Sequence, residues 1–305
     1  MPDPAPRQVS VGLDVGGTKV LACAVARSGN GWPEVLHERS APSEPALGTR
    51  HLLEVVVGLA GDVRAEYCPD SERLGVGVAG YLGSDGILVP SPNVPALEGL
   101  DLASELSRRL GVEAVLENDA NCVALATLAA RRPAPRDLVA VTLGTGIGGA
   151  VVMQGELVRG AHGFAGEPGH MVVDPGGIPC VCGQRGCWER YASGSALARC
   201  ASEAYGTAEK LVEAARGGEP AARELVDEFT RWVALGMSNL VNLLDPSVVV
   251  LGGGLSEAFD VMAGGLRSAL EDNPTVAHRV PSLEAAPYGA AAGAVGAAAL
   301  AAGWI

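Results

Sequence analysis

The chain has 305 residues, 48% of them hydrophobic, and its 35 acidic and 22 basic side chains give a formal charge of -13. Single cores stop growing at about 250 to 300 residues, so two domains are expected. The acidic balance disfavours nucleic acid, whose phosphates need clustered Lys and Arg; with no membrane-length apolar run and no leader, a cytoplasmic protein without membrane contact is expected.

Val9 to Leu13 reads as an apolar strand running into Asp14-Val15-Gly16-Gly17-Thr18-Lys19, and Val20 to Val25 as the returning strand of a hairpin. Adjacent glycines let a backbone approach a polyphosphate closely, and Asp14 at the strand end can hold magnesium. An ordinary Gly-Gly hairpin with Asp as a turn residue fits equally well. A strand and not a helix follows, which excludes a P-loop.

His51 to Tyr67 has helical periodicity, and Leu74 to Val78 reads as a buried strand. Asn93, after Pro92, suits either a sugar hydroxyl or a turn. Val112 to Leu116 is the next strand; Glu117-Asn118-Asp119-Ala120-Asn121 leads from it into an alanine-rich helix, Cys122 to about Ala130. A carboxylate at that junction, Asp119, can take a hydroxyl proton in phosphoryl transfer, or Asp119 or Asn118 can simply cap the helix. The two roles are compatible.

Pro133-Ala134-Pro135 marks a boundary. Leu138 to Leu143, Gly144-Thr145-Gly146-Ile147-Gly148-Gly149 and Ala150 to Met153 then repeat the strand, glycine turn, strand theme of the opening. Two such hairpins could clamp a triphosphate from both sides. Tyr191 to Ala204 and Ala221 to Leu244 read as helices, the second broken by Asp245-Pro246. Val248 to Leu251 is an apolar strand ending in Gly252-Gly253-Gly254, where a base or ribose could lie against the backbone; Ser256 reads as the cap of the next helix. Gly289 to Gly303 reads as an Ala/Gly helix, and the whole alternation as an α/β fold with mixed sheets.

The densest chemistry lies in Gly166 to Glu189, where His170, Cys180, Cys182 and Cys187 supply one imidazole and three thiols. That donor set makes a closed tetrahedral zinc site, structural because it leaves no open position. A reducible disulfide or space-filling thiols are the alternatives. Three of the seven cysteines fall within eight positions, with Gly183 and Gly186 for the turns, which favours the metal.

Taken in order, DVGGTK, ENDAN, LGTGIGG, GEPGH, CxCGxxGCxE and LGGG resemble the ROK family of repressors, open reading frames and sugar kinases, over nearly the whole chain and most like its bacterial ATP-dependent glucokinase branch. The resemblance implies a two-domain actin-like/hexokinase (ribonuclease H-like) α/β fold with a cleft between domains and a structural zinc knuckle. It implies a small domain, 1–118 completed by the C-terminal helix 289–305, a large domain, 119–288, and a homodimer or homotetramer. Asp119 would take the proton of the 6-hydroxyl of glucose or a related hexose. Asn93, Asn118, Glu167, His170 and Glu189 would bind other hydroxyls, His170 with the ring nitrogen that zinc leaves free. For ATP with Mg2+, Asp14 would lie near the metal and Gly16, Gly17, Thr18 and Lys19 on one side of the phosphates. Thr142, Gly144, Thr145 and Gly146 would lie on the other, with Gly252, Gly253 and Gly254 near the adenosine.

Pro168 departs from many glucokinase-like members, which often carry an aliphatic residue there, and GEPGH also occurs in relatives acting on N-acetylated sugars. N-acetylmannosamine, N-acetylglucosamine, fructose and mannose are therefore alternative substrates, and polyphosphate an alternative donor. A sugar-responsive repressor is the alternative of another class. Its helix-turn-helix would precede the kinase-like body, where strand structure is expected already at Val9, and it would need basic surface.

Overall fold

The computed structural model describes residues 7–29, 31–89 and 94–305. The chain divides into two compact units. The first holds the described residues up to Pro135 together with Leu157–Ala165 and Ala290–Ile305; the second holds Arg136–Glu156 and Gly166–Gly289.

The first unit is built on β1 (Arg7–Val15), β2 (Lys19–Ser28), β3 (Glu34–Pro42), β4 (Arg73–Val78) and β5 (Glu113–Asn118), in the order β3-β2-β1-β4-β5. β1 to β3 are antiparallel, and β4 and β5 run parallel to β1. Because alternate residues of a strand face opposite ways, Val11 and Leu13 turn to one face of the sheet and Gly12 to the other. Val11 and Leu13 share a core with Leu52, Val56 and Val63 of α1 (Thr49–Tyr67) and Leu102 and Leu106 of α2 (Leu102–Leu110). On the opposite face Gly12 pairs in register with Gly75, and a Cβ on either would run into the backbone of α9 (Ala292–Ala301). α9 can lie that close because it is made of Ala and Gly; it also packs on α3 (Asp119–Ala129), where Gly296 meets the Cys122 carbonyl.

The second unit repeats this plan. β6 (Leu138–Leu143) and β7 (Ile147–Met153) form the hairpin, β8 (Glu156–Leu157) flanks β7, and β9 (Val248–Gly252) and β10 (Ser282–Ala285) run parallel to β6. The order β8-β7-β6-β9-β10 matches β3-β2-β1-β4-β5 strand for strand, so the recurrence of the glycine hairpin extends to the whole sheet. Its core joins Val139, Val141 and Leu251 to the helices α4 (Glu189–Ala192), α5 (Gly194–Ala201), α6 (Ala208–Arg216), α7 (Pro220–Leu244) and α8 (Phe259–Glu271). Among the described residues no helix is long and apolar enough to cross a membrane.

Several boundaries differ from the sequence reading for local reasons. The stretch read as one helix from Tyr191 breaks at Ser193, whose extended backbone ends α4 and whose side chain accepts from Ala196 N–H to start α5. Ser256 does not cap a helix: its hydroxyl donates to the Gly253 carbonyl inside a 3-10 turn, and α8 begins at Phe259 without a side-chain cap. α3 begins at Asp119, three residues before the expected start, because Asn118 supplies the cap. Through α9 it belongs to the first unit, whose first stretch ends at Pro135, within the Pro133-Ala134-Pro135 punctuation and not at the 118 that the family resemblance implied.

Trp188, fully buried, anchors the second unit: its indole N–H donates to the Trp232 carbonyl at 2.7 Å, and its ring rests on Gly236 of α7. A Cβ at Gly236 would overlap that ring. Helix propensity alone would make Gly236→Ala stabilising by about 1 kcal/mol. The overlap reverses the sign, and a loss of about 1–3 kcal/mol is expected in chemical denaturation.

Candidate active site and metal centre

Asp14 and Asp119 come from strand ends of one sheet. Asp14 sits opposite Leu21 of β2 and Gly77 of β4, with its carboxylate over Gly293 in the first turn of α9. Asp119 is the first residue of α3, and its Oδ1 accepts from Ala120 N–H at 2.9 Å. Both are recessed but keep some access to solvent. Burial pushes the Asp14 carboxyl up to about 7, the charge of Asp119 adding to the shift and Lys19 opposing it. Burial likewise pushes Asp119 up to about 6, against the pull of the hydrogen bonds from Ala120 N–H and the Asn118 side chain. A buried carboxylate raised further by a neighbouring negative charge fits a cation near Asp14, and a carboxylate poised near neutrality fits a general base at Asp119.

Asn118 does the capping: its Oδ1 accepts from Asn121 N–H at 3.0 Å, while its Nδ2 donates to the Gly80 carbonyl at 3.1 Å. The neighbouring turn is closed by Gly16 N–H on the Lys19 carbonyl, and Thr18 and Lys19 are exposed. Asn93 lies outside the described residues.

In the second unit, the turn Gly144-Thr145-Gly146 is closed by Gly144 N–H on the Gly146 carbonyl and tied to α5 by Gly194 N–H and the Ser195 hydroxyl. Thr142 pairs with Gly148 on one side and Gly252 on the other. Gly253, at φ 75, packs its backbone against Leu143, so the glycines after β9 rest directly on the second hairpin. Only glycine combines that left-handed φ with such close approach. Gly254 begins the 3-10 turn that follows.

Glu167, Pro168, Gly169 and His170 form a short 3-10 turn against β7, where a Cβ at Gly169 would strike the Ile147 carbonyl. Glu189 reaches back to the same hairpin, its Oε2 accepting from Ile147 N–H at 3.0 Å. Between them, one ligand atom each from His170, Cys180, Cys182 and Cys187 lie within 4.8 Å of one another. Cys180 Sγ is 3.9 Å from His170 Nδ1, and Cys182 Sγ is 3.5 Å from Cys187 Sγ. Zn–S and Zn–N bonds of about 2.3 and 2.0–2.1 Å place tetrahedral donors about 3.5–3.8 Å apart, so donor chemistry and spacing both suit zinc. The backbone is prepared for it: Cys180 N–H bonds the Gln184 carbonyl, and Val173 and Asp174 N–H both bond that of Gly186.

The sequence model of the ROK family matches residues 10–303. The chain belongs to the ROK family. A glucokinase of Streptomyces coelicolor is 32% identical to it, over 96% of this chain and 97% of the relative. An N-acetyl-D-glucosamine kinase of Pectobacterium carotovorum subsp. carotovorum is 35% identical, over 95% and 97%. The crystal structure of a ROK family glucokinase from Streptomyces griseus, in complex with glucose and AMPPNP, matches with a TM-score of 0.84 at 31% identity, covering 97% of this chain and 100% of that one.

Within this ROK chain, sequence reasoning missed the pair Glu117 and Arg159. Glu117 is buried, and its Oε2 accepts from Arg159 Nε at 2.9 Å and Nη2 at 2.7 Å. A Glu beside Asn118 and Asp119 was visible in the sequence; its partner, 42 residues later in a loop, had no pattern to announce it.

Proposed function

We propose that the chain is an ATP-dependent sugar kinase that phosphorylates glucose at its 6-hydroxyl. The carrying observation is Asp119, recessed at a capped helix start and held near pH 6, where it can accept a hydroxyl proton at physiological pH. The hydroxyl oxygen attacks the γ-phosphorus, its proton passes to Asp119 Oδ, and the bond from phosphorus to the bridging oxygen breaks to release ADP. Magnesium, when bound, neutralises charge on the phosphates. In the first unit Asp14 would hold that ion, Gly16 to Lys19 would meet phosphate, and Asn93 and Asn118 would bond sugar hydroxyls. In the second, Thr142 and Gly144 to Gly146 meet phosphate, Gly252 to Gly254 approach the adenosine, and Glu167, His170 and Glu189 bond hydroxyls. Zinc on His170, Cys180, Cys182 and Cys187 would take the ring nitrogen that faces Cys180, Nδ1, and leave Nε2–H to donate to a sugar oxygen.

A second reading, kinase for N-acetylglucosamine, is favoured by the 35% identical relative of that activity and by Pro168 at the centre of the GEPGH turn. A coupled assay over glucose, mannose, fructose, N-acetylglucosamine and N-acetylmannosamine, with ATP or polyphosphate, separates the two. The highest kcat/KM is expected for glucose with ATP. A preference of more than about tenfold for an N-acetyl sugar would move the assignment to the second reading.

A further inference from the structure

We propose that Glu117 and Arg159 act as a positioning pair for Asp119, a role that rests on the kinase reading above. Glu117 is the penultimate residue of β5 and only 5% exposed, and its carboxylate takes four N–H contacts. Oε1 accepts from the backbone N–H of Asn118 at 3.0 Å and from Asn121 Nδ2 at 2.8 Å; Oε2 accepts from Arg159 Nε and Nη2. The residues before and after Asp119 in this network, Asn118 and Asn121, are thus both fixed by one carboxylate group. Asn118 then caps α3 and holds the Gly80 carbonyl, so the strand end, the helix start and the loop after β4 depend on the same anion.

Arg159 brings in a fourth segment. It belongs to 157–165, a stretch of the first unit that Ala165 N–H closes on the Arg159 carbonyl at 3.1 Å; its His162 carbonyl accepts from Ser84 N–H at 3.2 Å, and Gly163 packs on the Leu82 carbonyl. A buried carboxylate is expensive unless an ionised donor neutralises it, and an apolar side chain would fill a strand end more simply. A buried carboxylate with a guanidinium partner instead imposes direction on every group that donates to it. Asn121 shows how little else holds the junction: its Nδ2 is committed to Glu117, and its buried Oδ1 has no hydrogen-bond partner. Without the anion that side chain loses its one side-chain contact to β5, and the base loses the frame that aims it.

The test compares Glu117→Gln with Arg159→Lys in the full chain. Glu117→Gln keeps size and one acceptor but removes the charge; Arg159→Lys, at a side chain 51% exposed, keeps the charge but loses the two-nitrogen contact. With the sugar that the wild type phosphorylates best, kcat should fall about 10²-fold for the first and about tenfold for the second, while KM for ATP stays within about twofold. The losses should persist at 10 °C, well below any unfolding; recovery to wild-type kcat there would make the pair merely structural and overturn the proposal. So would kcat within about threefold of wild type in both variants, and should Glu117→Gln fail to fold, Arg159→Lys decides alone. Absence of phosphoryl transfer in the wild type would instead remove the kinase reading itself, which the sugar panel reveals before any variant is made.

Discussion

Asp119→Asn is expected to lower kcat by about 10²- to 10⁴-fold with the best sugar while leaving its KM within a few fold. Asparagine keeps an acceptor for Ala120 N–H and the start of α3, but cannot take a proton. If Asp119 is the base, it must be ionised in the wild type, so kcat should fall as pH drops below about 6, roughly tenfold per unit. The same residue links activity to stability with a definite sign. Folding raises the Asp119 carboxyl from 3.8 to about 6, so between those values the folded chain binds a proton that the unfolded chain has released. Stability from this group is full below pH 3.8 and is lost as pH rises to about 6. At pH 8 the variant, free of the ionised carboxylate, should therefore be more stable by about 1–2 kcal/mol, after allowance for its contact with solvent. Normal turnover in Asp119→Asn would sink the assignment of the base; a lower melting temperature at pH 8 would show that its charge is stabilised by something other than the network described.

How much of this was legible in the sequence depended on how local the cause was. Leu138–Leu143 matched to the residue, because an apolar run ending in glycines has one reading. The four zinc-type donors were gathered as expected because a glycine-rich loop of 18 residues leaves them little room to be elsewhere. β3, in which Glu34, Glu38, Arg39 and Ser40 are exposed and none of the nine residues is fully buried, has no apolar pattern, and α2 and α6 are short, so all three escaped notice. Long-range causes were invisible. Nothing in the sequence of α7 says that Gly236 must make room for Trp188, or that Gly12 and Gly75 leave a trough for α9. The Glu117–Arg159 pair is of the same kind: each residue is ordinary in its own segment, and only the fold brings them together.

If the four donors hold zinc as proposed, removing it should separate sugar binding from nucleotide binding. The loop from Met171 to Cys187 cannot hold itself by burial, since Val172, Ile178 and Val181 are exposed, and its backbone contacts converge on Gly186 and Cys180 instead. A metal that cross-links Cys180, Cys182 and Cys187 to His170 would supply what the missing core does not. Cys187 is fully buried beside Trp188, so replacing it would also disturb the core; Cys182 is exposed, and Cys182→Ser removes one ligand with little collateral packing change. The wild type should carry about one zinc per chain by atomic absorption, and Cys182→Ser markedly less. The sugar hydrogen bonds proposed for His170 and Glu189, at about 1 kcal/mol each, would then be lost, so the sugar dissociation constant should rise by about tenfold or more in calorimetry. Nucleotide affinity, which on the proposed kinase reading rests on hairpins whose turns are closed by their own hydrogen bonds, should change by less than about threefold. His170 and Glu189 explain the asymmetry: one would be a ligand of the proposed zinc and the other follows Cys187 by two residues, so both would lose their placement when the loop loosens. An equal fall in both affinities before any loss of helical signal would mean that the loop serves only to hold the fold, and a wild type without bound metal would end the zinc reading.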